Sequence, residues 1–136
     1  MKIKLDKGAQ MPTRAHKWDA GLDLYSTENA DIPPYSAVTV GTGVHIKLDP
    51  YTVGLLTSKS GLMAKHGITS RGTIDCGYTG EIRVTLINHS DKWYYISKGD
   101  KVSQLVVIPI HLPELELVDE LEDTERGNNG FGSTGR

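Results

Sequence analysis

Apolar and polar residues alternate with a period of two through most of this chain, and turn-forming residues interrupt the alternation at short intervals. Lys2-Ile3-Lys4-Leu5 alternates, as do residues 37–40 and 44–48, and Gly41 and Gly43 between those runs mark a bulge or bend. The pattern returns over residues 51–57, 81–88, 92–97, 101–110 and 114–118. Breaks fall at Pro33-Pro34, Asp49-Pro50, Gly72, Gly77, Thr79-Gly80, Lys98-Gly99-Asp100 and Pro113. Residues 60–66 alone carry helical spacing, enough for one or two turns. Many short strands and one small helix predict an all-β fold, a jelly-roll-like antiparallel sandwich or barrel.

With 136 residues the chain makes one domain with a real core. A formal charge of −2 removes the basic field that holds nucleic acid. Cys76 is the single cysteine, so no intramolecular disulfide forms, which fits a reducing compartment. The first residues lack an apolar leader core and no apolar run approaches a membrane span, so a soluble, cytoplasmic protein without membrane contact is expected. Composition changes after Val118, where Asp119, Glu120, Glu122, Asp123 and Glu125 crowd together. Like charges repel and solvate, which divides the chain into a β domain (1–118) and an acidic tether with a glycine-rich arm (119–136).

That arm holds the only phenylalanine, Phe131, among glycines that favour neither helix nor strand. Burying such a ring is worth about 1.5–3 kcal/mol, so its isolation suggests a flat partner supplied from outside. Gly132 and its neighbours expose N–H groups, Ser133 and Thr134 add hydroxyls, and Arg126 brings a phosphate-fitting fork of donors. Ring plus phosphate grip points to a nucleotide; the alternative is a disordered terminus.

Four further segments place polar residues where a sandwich does not need them. In Ala20-Gly21-Leu22-Asp23-Leu24, alternation puts Asp23 opposite the leucines, facing solvent. In Thr57-Ser58-Lys59-Ser60-Gly61-Leu62, a strand end enters the short helix, and Lys59, Ser60 and the first N–H groups make a small anion site, with simple N-capping by Ser60 as the alternative. In Gly72-Thr73-Ile74-Asp75-Cys76-Gly77-Tyr78, an Asp beside apolar neighbours with an aromatic close by suits a partly desolvated general base, or else a turn Asp with a packing Tyr. In Gly99-Asp100-Lys101-Val102-Ser103-Gln104, Gln104 either donates to phosphate or bonds a neighbouring strand.

Taken in order, Ala-Gly-x-Asp-Leu, Ser-x-Ser-Gly-Leu, Gly-x-Ile-Asp-x-x-Tyr-x-Gly-Glu, Gly-Asp-x-x-x-Gln-Leu and Arg-Gly-x-x-Gly-Phe-Gly-Ser-Thr-Gly resemble the five motifs of the trimeric dUTP diphosphatase (dUTPase) family, from Ala20 to Gly135. The resemblance implies a jelly-roll homotrimer that hydrolyses dUTP to dUMP and pyrophosphate with Mg²⁺, keeping uracil out of DNA. It implies Asp75 as the base that activates water against the α-phosphorus, and Asp23 as the residue that holds Mg²⁺ through bound waters. Lys59, Ser60, Gly61, Gln104 and Arg126 would grip phosphate. Tyr78 would lie under the deoxyribose, and Thr73 and Ile74 would read the base through their backbone. Phe131 would close over uracil while Gly132, Ser133 and Thr134 cap the phosphates. Arg83 would touch the substrate or pair with a nearby acid. The sites would lie at subunit interfaces, each closed by a neighbour's arm.

The chain departs from the family pattern at Ser58-Lys59, where Pro-Arg is usual, and lysine keeps the charge but loses the bidentate fork. Residues 67–72 form a short version of their segment, Gly77 replaces a frequent Asp, and Asn129 replaces a glycine. Two rivals share the fold: a nucleotide-binding regulatory module, and a dCTP deaminase-like enzyme. The deaminase reading needs an acid where Thr85 stands.

Overall fold

A computed structural model of the chain describes residues 1–130 and Gly135. Among these residues the elements run β1 (Lys2–Leu5), β2 (Leu22–Tyr25), β3 (Ala30–Ile32), β4 (Ala37–Lys47), β5 (Thr52–Thr57), α1 (Ser60–His66), β6 (Ile68–Asp75), β7 (Glu81–Asn88), β8 (Tyr94–Ile96) and β9 (Lys101–Pro109). A seven-stranded antiparallel sheet takes the order β1-β4-β7-β6-β5-β9-β2, and β3 pairs with β8 in a small second sheet. The large sheet curls, because β7 and β9 pack on each other although two strands separate them in the order. This is the expected all-β, jelly-roll-like architecture with one short helix.

Alternation explains how the curl closes on a core. Along β7, Ile82, Val84 and Leu86 are buried while Arg83, Thr85 and Ile87 face outward. Val40, Val44 and Ile46 of β4, Leu56 of β5 and Val102 and Leu105 of β9 meet the same interior. Asn88, buried at the end of β7, donates to the carbonyls of Ile32, Pro33 and Lys92, and so pins the small sheet to the large one. The expected bulge sits where the β4–β7 register shifts between Gly41 and His45. There the hydroxyl of buried Thr42 donates to the Ile82 carbonyl, and carboxylates accept the freed N–H groups, Glu28 from Gly41 and Glu81 from Gly43.

One expected strand is absent, and one strand forms that the alternation did not announce. Residues 114–118 form no strand and pair with no strand among the described residues, and Leu115 and Leu117 stand 95% and 99% exposed. Conversely β6 forms where alternation is hard to see. Its inward positions include Ser70 and Gly72 rather than apolar side chains, and Ser70 is made burial-compatible by bonds to the Ser103 and Ser58 hydroxyls. Among the described residues no helix is long and apolar enough to cross a membrane.

Candidate active site

Asp23 is a buried carboxylate held by two cations. Alternation placed it toward solvent, yet it is 5% exposed, and two lysines explain why burial is tolerated. Lys59 Nζ lies 2.5 Å from Oδ1 and Lys101 Nζ lies 2.8 Å from Oδ2. Burial alone would raise the carboxyl pKa; the bonds and charges of Lys101 and Lys59 together outweigh it and hold Asp23 below its ordinary value. The bond to Asp23 in turn raises the pKa of Lys101. One carboxylate between two ammonium groups leaves a net positive cluster suited to an anion.

The surrounding elements converge on this cluster. β2 brings Asp23 opposite Gln104 of β9, and Gln104 stands opposite Thr57, the last residue of β5 before Lys59 and the helix. The Gln104 side chain lies over Gly21, in the space a Cβ would fill, so a larger residue there would push the amide away. Lys59 is the helix N-cap, with extended backbone and no side-chain cap bond, so Ser60 does not cap the helix and its hydroxyl is not consumed by that role. Gly61 has open space around it, and both residues are exposed. Ser58 uses its hydroxyl to accept from Ser70 N–H and donate to Ser70 O, a tie that proline could not make. Lys101 escaped the sequence reading because a register shift between Leu24 and Tyr25 turns it toward Asp23, and a bulge of that kind leaves no mark in the alternation.

A second cluster forms at the far end of β6. Thr73, Ile74, Asp75, Tyr78, Glu81 and Arg83 line one groove. Asp75 is exposed in the chain, so the described residues do not supply the expected partial desolvation. A tight turn follows, with Tyr78 N–H donating to Asp75 O and the Tyr78 hydroxyl donating to Glu81 O. The Tyr78 ring covers Gly80, where any Cβ would collide with it, so the glycine lets the ring lie flat on the hairpin. Arg83 faces acids: its Nη1 lies 3.3 Å from Glu81 and its Nη2 3.7 Å from Glu28.

Register sets the distance between the clusters. Asp23, Gln104, Thr57 and Arg71 share one row across β2, β9, β5 and β6, and Asp75 lies four residues farther along β6, about 13 Å at strand spacing. Arg126 joins neither cluster; it is exposed in a turn whose Asn129 carbonyl accepts from its Nε. Phe131, Gly132, Ser133 and Thr134 lie outside the described residues. Among the described residues no group of three or more His, Cys, Asp and Glu side chains forms a metal-binding cluster.

The family model described as dUTPase matches residues 7–135. A deoxyuridine 5'-triphosphate nucleotidohydrolase of Corynebacterium glutamicum is 46% identical over 98% of this chain and 93% of its own. One from Clostridium kluyveri is 47% identical over 97% of this chain and 94% of its own. Among solved structures, the dUTPase of Staphylococcus bacteriophage 80alpha with dUpNHpp superposes with a TM-score of 0.92 at 35% identity, covering 99% of this chain and 98% of that one. A dUTPase of phage phi11 of S. aureus, whose structure describes coordination of a structural Mg(II) ion, gives 0.82 at 32% identity, over 90% of this chain and 98% of that one. With its strand order, its two polar clusters and these matches along nearly its whole length, the chain belongs to the dUTPase family.

Proposed function

We propose that this chain performs its family's reaction, hydrolysis of dUTP to dUMP and pyrophosphate, at a composite site in which Asp75 of one subunit faces the Asp23–Lys59–Lys101 cluster of another. The observation that carries the composite site is the separation of those clusters. A base must reach its proton within about 2.6–3.2 Å, or through one water, and about 13 Å of strand lies between Asp75 and the row that holds Asp23. A second copy removes the difficulty. The assembly we infer is a homotrimer with three such sites, its body formed by residues 1–118 and its arm by 119–136. Leu112, Leu115, Leu117 and Leu121, between 60% and 99% exposed, give the arm and its approach an apolar stripe that a neighbouring subunit would cover.

In this reading Lys59, Lys101, Gln104, Ser60 and the Gly61 N–H receive the phosphates. Asp75 orients a water and takes its proton as the water oxygen attacks the α-phosphorus and pyrophosphate departs. Tyr78 forms the floor under the deoxyribose, where a 2′-hydroxyl would collide, and Thr73 and Ile74 offer backbone groups to the base. Arg83 stays with Glu28 and Glu81 and holds the hairpin rather than the substrate. Arg126, Phe131, Gly132, Ser133 and Thr134 close the site from the arm.

Mg²⁺ fits as an ion that arrives with the triphosphate. A carboxylate has about four lone-pair positions and the two lysines occupy one oxygen each, so Asp23 keeps acceptor capacity for metal-bound waters. A lone carboxylate is too little for an all-protein cage, and Mg²⁺ commonly binds through one or two carboxylates plus substrate phosphates. When bound, the ion would offset charge building on the phosphate oxygens.

The test is pyrophosphate release from dUTP, dCTP, dTTP and UTP, each with and without Mg²⁺. Release from dUTP alone, dependent on Mg²⁺, is expected. Tight dUTP binding without release would favour the regulatory module instead.

A further inference from the structure

His45 occupies a position that the reaction above does not use, and its two ring nitrogens face two different parts of the molecule. Nδ1 lies 3.0 Å from the Thr79 carbonyl oxygen and Nε2 lies 3.1 Å from Asp6 Oδ2. A carbonyl only accepts, and so does an ionised carboxylate. Both bonds therefore form together only when both nitrogens carry hydrogen, which makes the ring an imidazolium. Thr79 sits between Tyr78 and Gly80 in the turn joining β6 to β7, the turn that presents the proposed sugar floor and follows the proposed base directly.

We propose that His45 is a positioning residue for dUTP hydrolysis: as an imidazolium tied to Asp6, it clamps the Thr79 carbonyl and so sets the turn that carries Asp75 and Tyr78. The inference rests on the roles proposed above for those two residues. The clamp spans the sheet edge, because His45 stands on β4 opposite Lys4 of β1 on one side and Glu81 of β7 on the other, and Asp6 follows β1 directly. Neighbouring charges divide by sign. Asp6 favours the cation, Lys4 opposes it, and Lys2 and Lys47 line the same groove. Glu81 is engaged elsewhere, with Oε1 accepting from Gly43 N–H and Oε2 from Arg83. The bonds to Asp6 and to Thr79 together raise the imidazole pKa above its ordinary 6.5.

The sign of the pH effect follows. The clamp is complete below that ordinary value and is lost as pH rises through the raised one, since a neutral ring can donate to one acceptor only. The free thiol of Cys76 stands in the same turn, so a pH step belongs to the imidazole only if His45→Leu removes it and Asp6→Asn moves it.

The experiment is the pH profile of kcat and KM for dUTP in the intact enzyme, comparing wild type with His45→Leu and Asp6→Asn. Wild-type kcat should fall about three- to fivefold from pH 6 to 9, with KM changing less, as expected when a transition-state contact loosens. His45→Leu should sit at the low value throughout, with no step. Asp6→Asn, a change at a half-exposed carboxylate, should move the step to lower pH because the anion that favours the cation is gone. A His45→Leu profile like the wild type, or a step that Asp6→Asn leaves in place, would overturn the clamp. Should His45→Leu fail to fold, the Asp6→Asn shift alone decides. A wild type that releases no pyrophosphate from dUTP would instead overturn the reading on which the clamp rests.

Discussion

Asp75 and Asp23 show how differently one chain can surround two identical side chains. Asp75 lies open at a strand end with no cation bonded to it among the described residues, which leaves its lone pairs available to a water proton. Asp75→Asn keeps the shape and removes the proton acceptor, so kcat should drop by about 10²–10⁴-fold while equilibrium binding of a non-hydrolysable dUTP analogue is retained. Asp23 is spoken for by Lys59 and Lys101. Its depressed pKa means that its stabilising effect is present above the ordinary carboxylate value of 3.8 and is lost as pH falls through the lower folded-state value. Asp23→Asn should therefore lower the thermal midpoint at neutral pH, by the equivalent of about 1–3 kcal/mol for charge-assisted bonds, and the gap to wild type should narrow below about pH 4. Differential scanning calorimetry across that range measures both.

At the level of elements, the parts that read clearly from sequence were those whose inward side chains are apolar. β7, with Ile82, Val84 and Leu86 inward, and the bulged β4 follow from alternation alone. β6 was obscured because Ser70 and Gly72 stand where apolar residues would, a substitution made possible by hydroxyl pairs that only the folded sheet brings together. The direction of Asp23 was misjudged for a similar reason: two lysines 36 and 78 positions later in the chain make the inward orientation affordable. Segment 114–118 has the alternation of a strand but pairs with no strand among the described residues, because alternation alone does not supply a partner edge. Beyond it, the described residues of the arm make only local bonds, such as Gly127 N–H to Thr124 and Arg126 to Asn129. Ending the chain at Glu125 should thus leave the unfolding free energy within about 0.5 kcal/mol of wild type, as for surface changes generally, while pyrophosphate release from dUTP collapses. An active truncated enzyme would remove the arm from the mechanism.

For the whole molecule, the separation of the two clusters converts a question of assembly into one of arithmetic. If each site draws Asp75 from one subunit and Lys59 from another, mixed trimers of Asp75→Asn and Lys59→Ala chains contain intact sites although neither parent does. Random mixing makes each required donor unmutated at its position half the time, so about a quarter of wild-type activity should reappear on co-refolding. Activity that stays at the parental level would confine the site to one chain. The Asp23 pairing carries one more consequence. Lysines that bind phosphate usually surrender mobile ions from solution, and affinity then falls steeply as salt is added. Here the resting counter-ion is part of the protein, held at 2.5 and 2.8 Å, and cannot be diluted or concentrated. One of the two lysine charges is thus neutralised before any triphosphate arrives, so KM for dUTP should respond to potassium chloride more weakly than two free lysines would dictate.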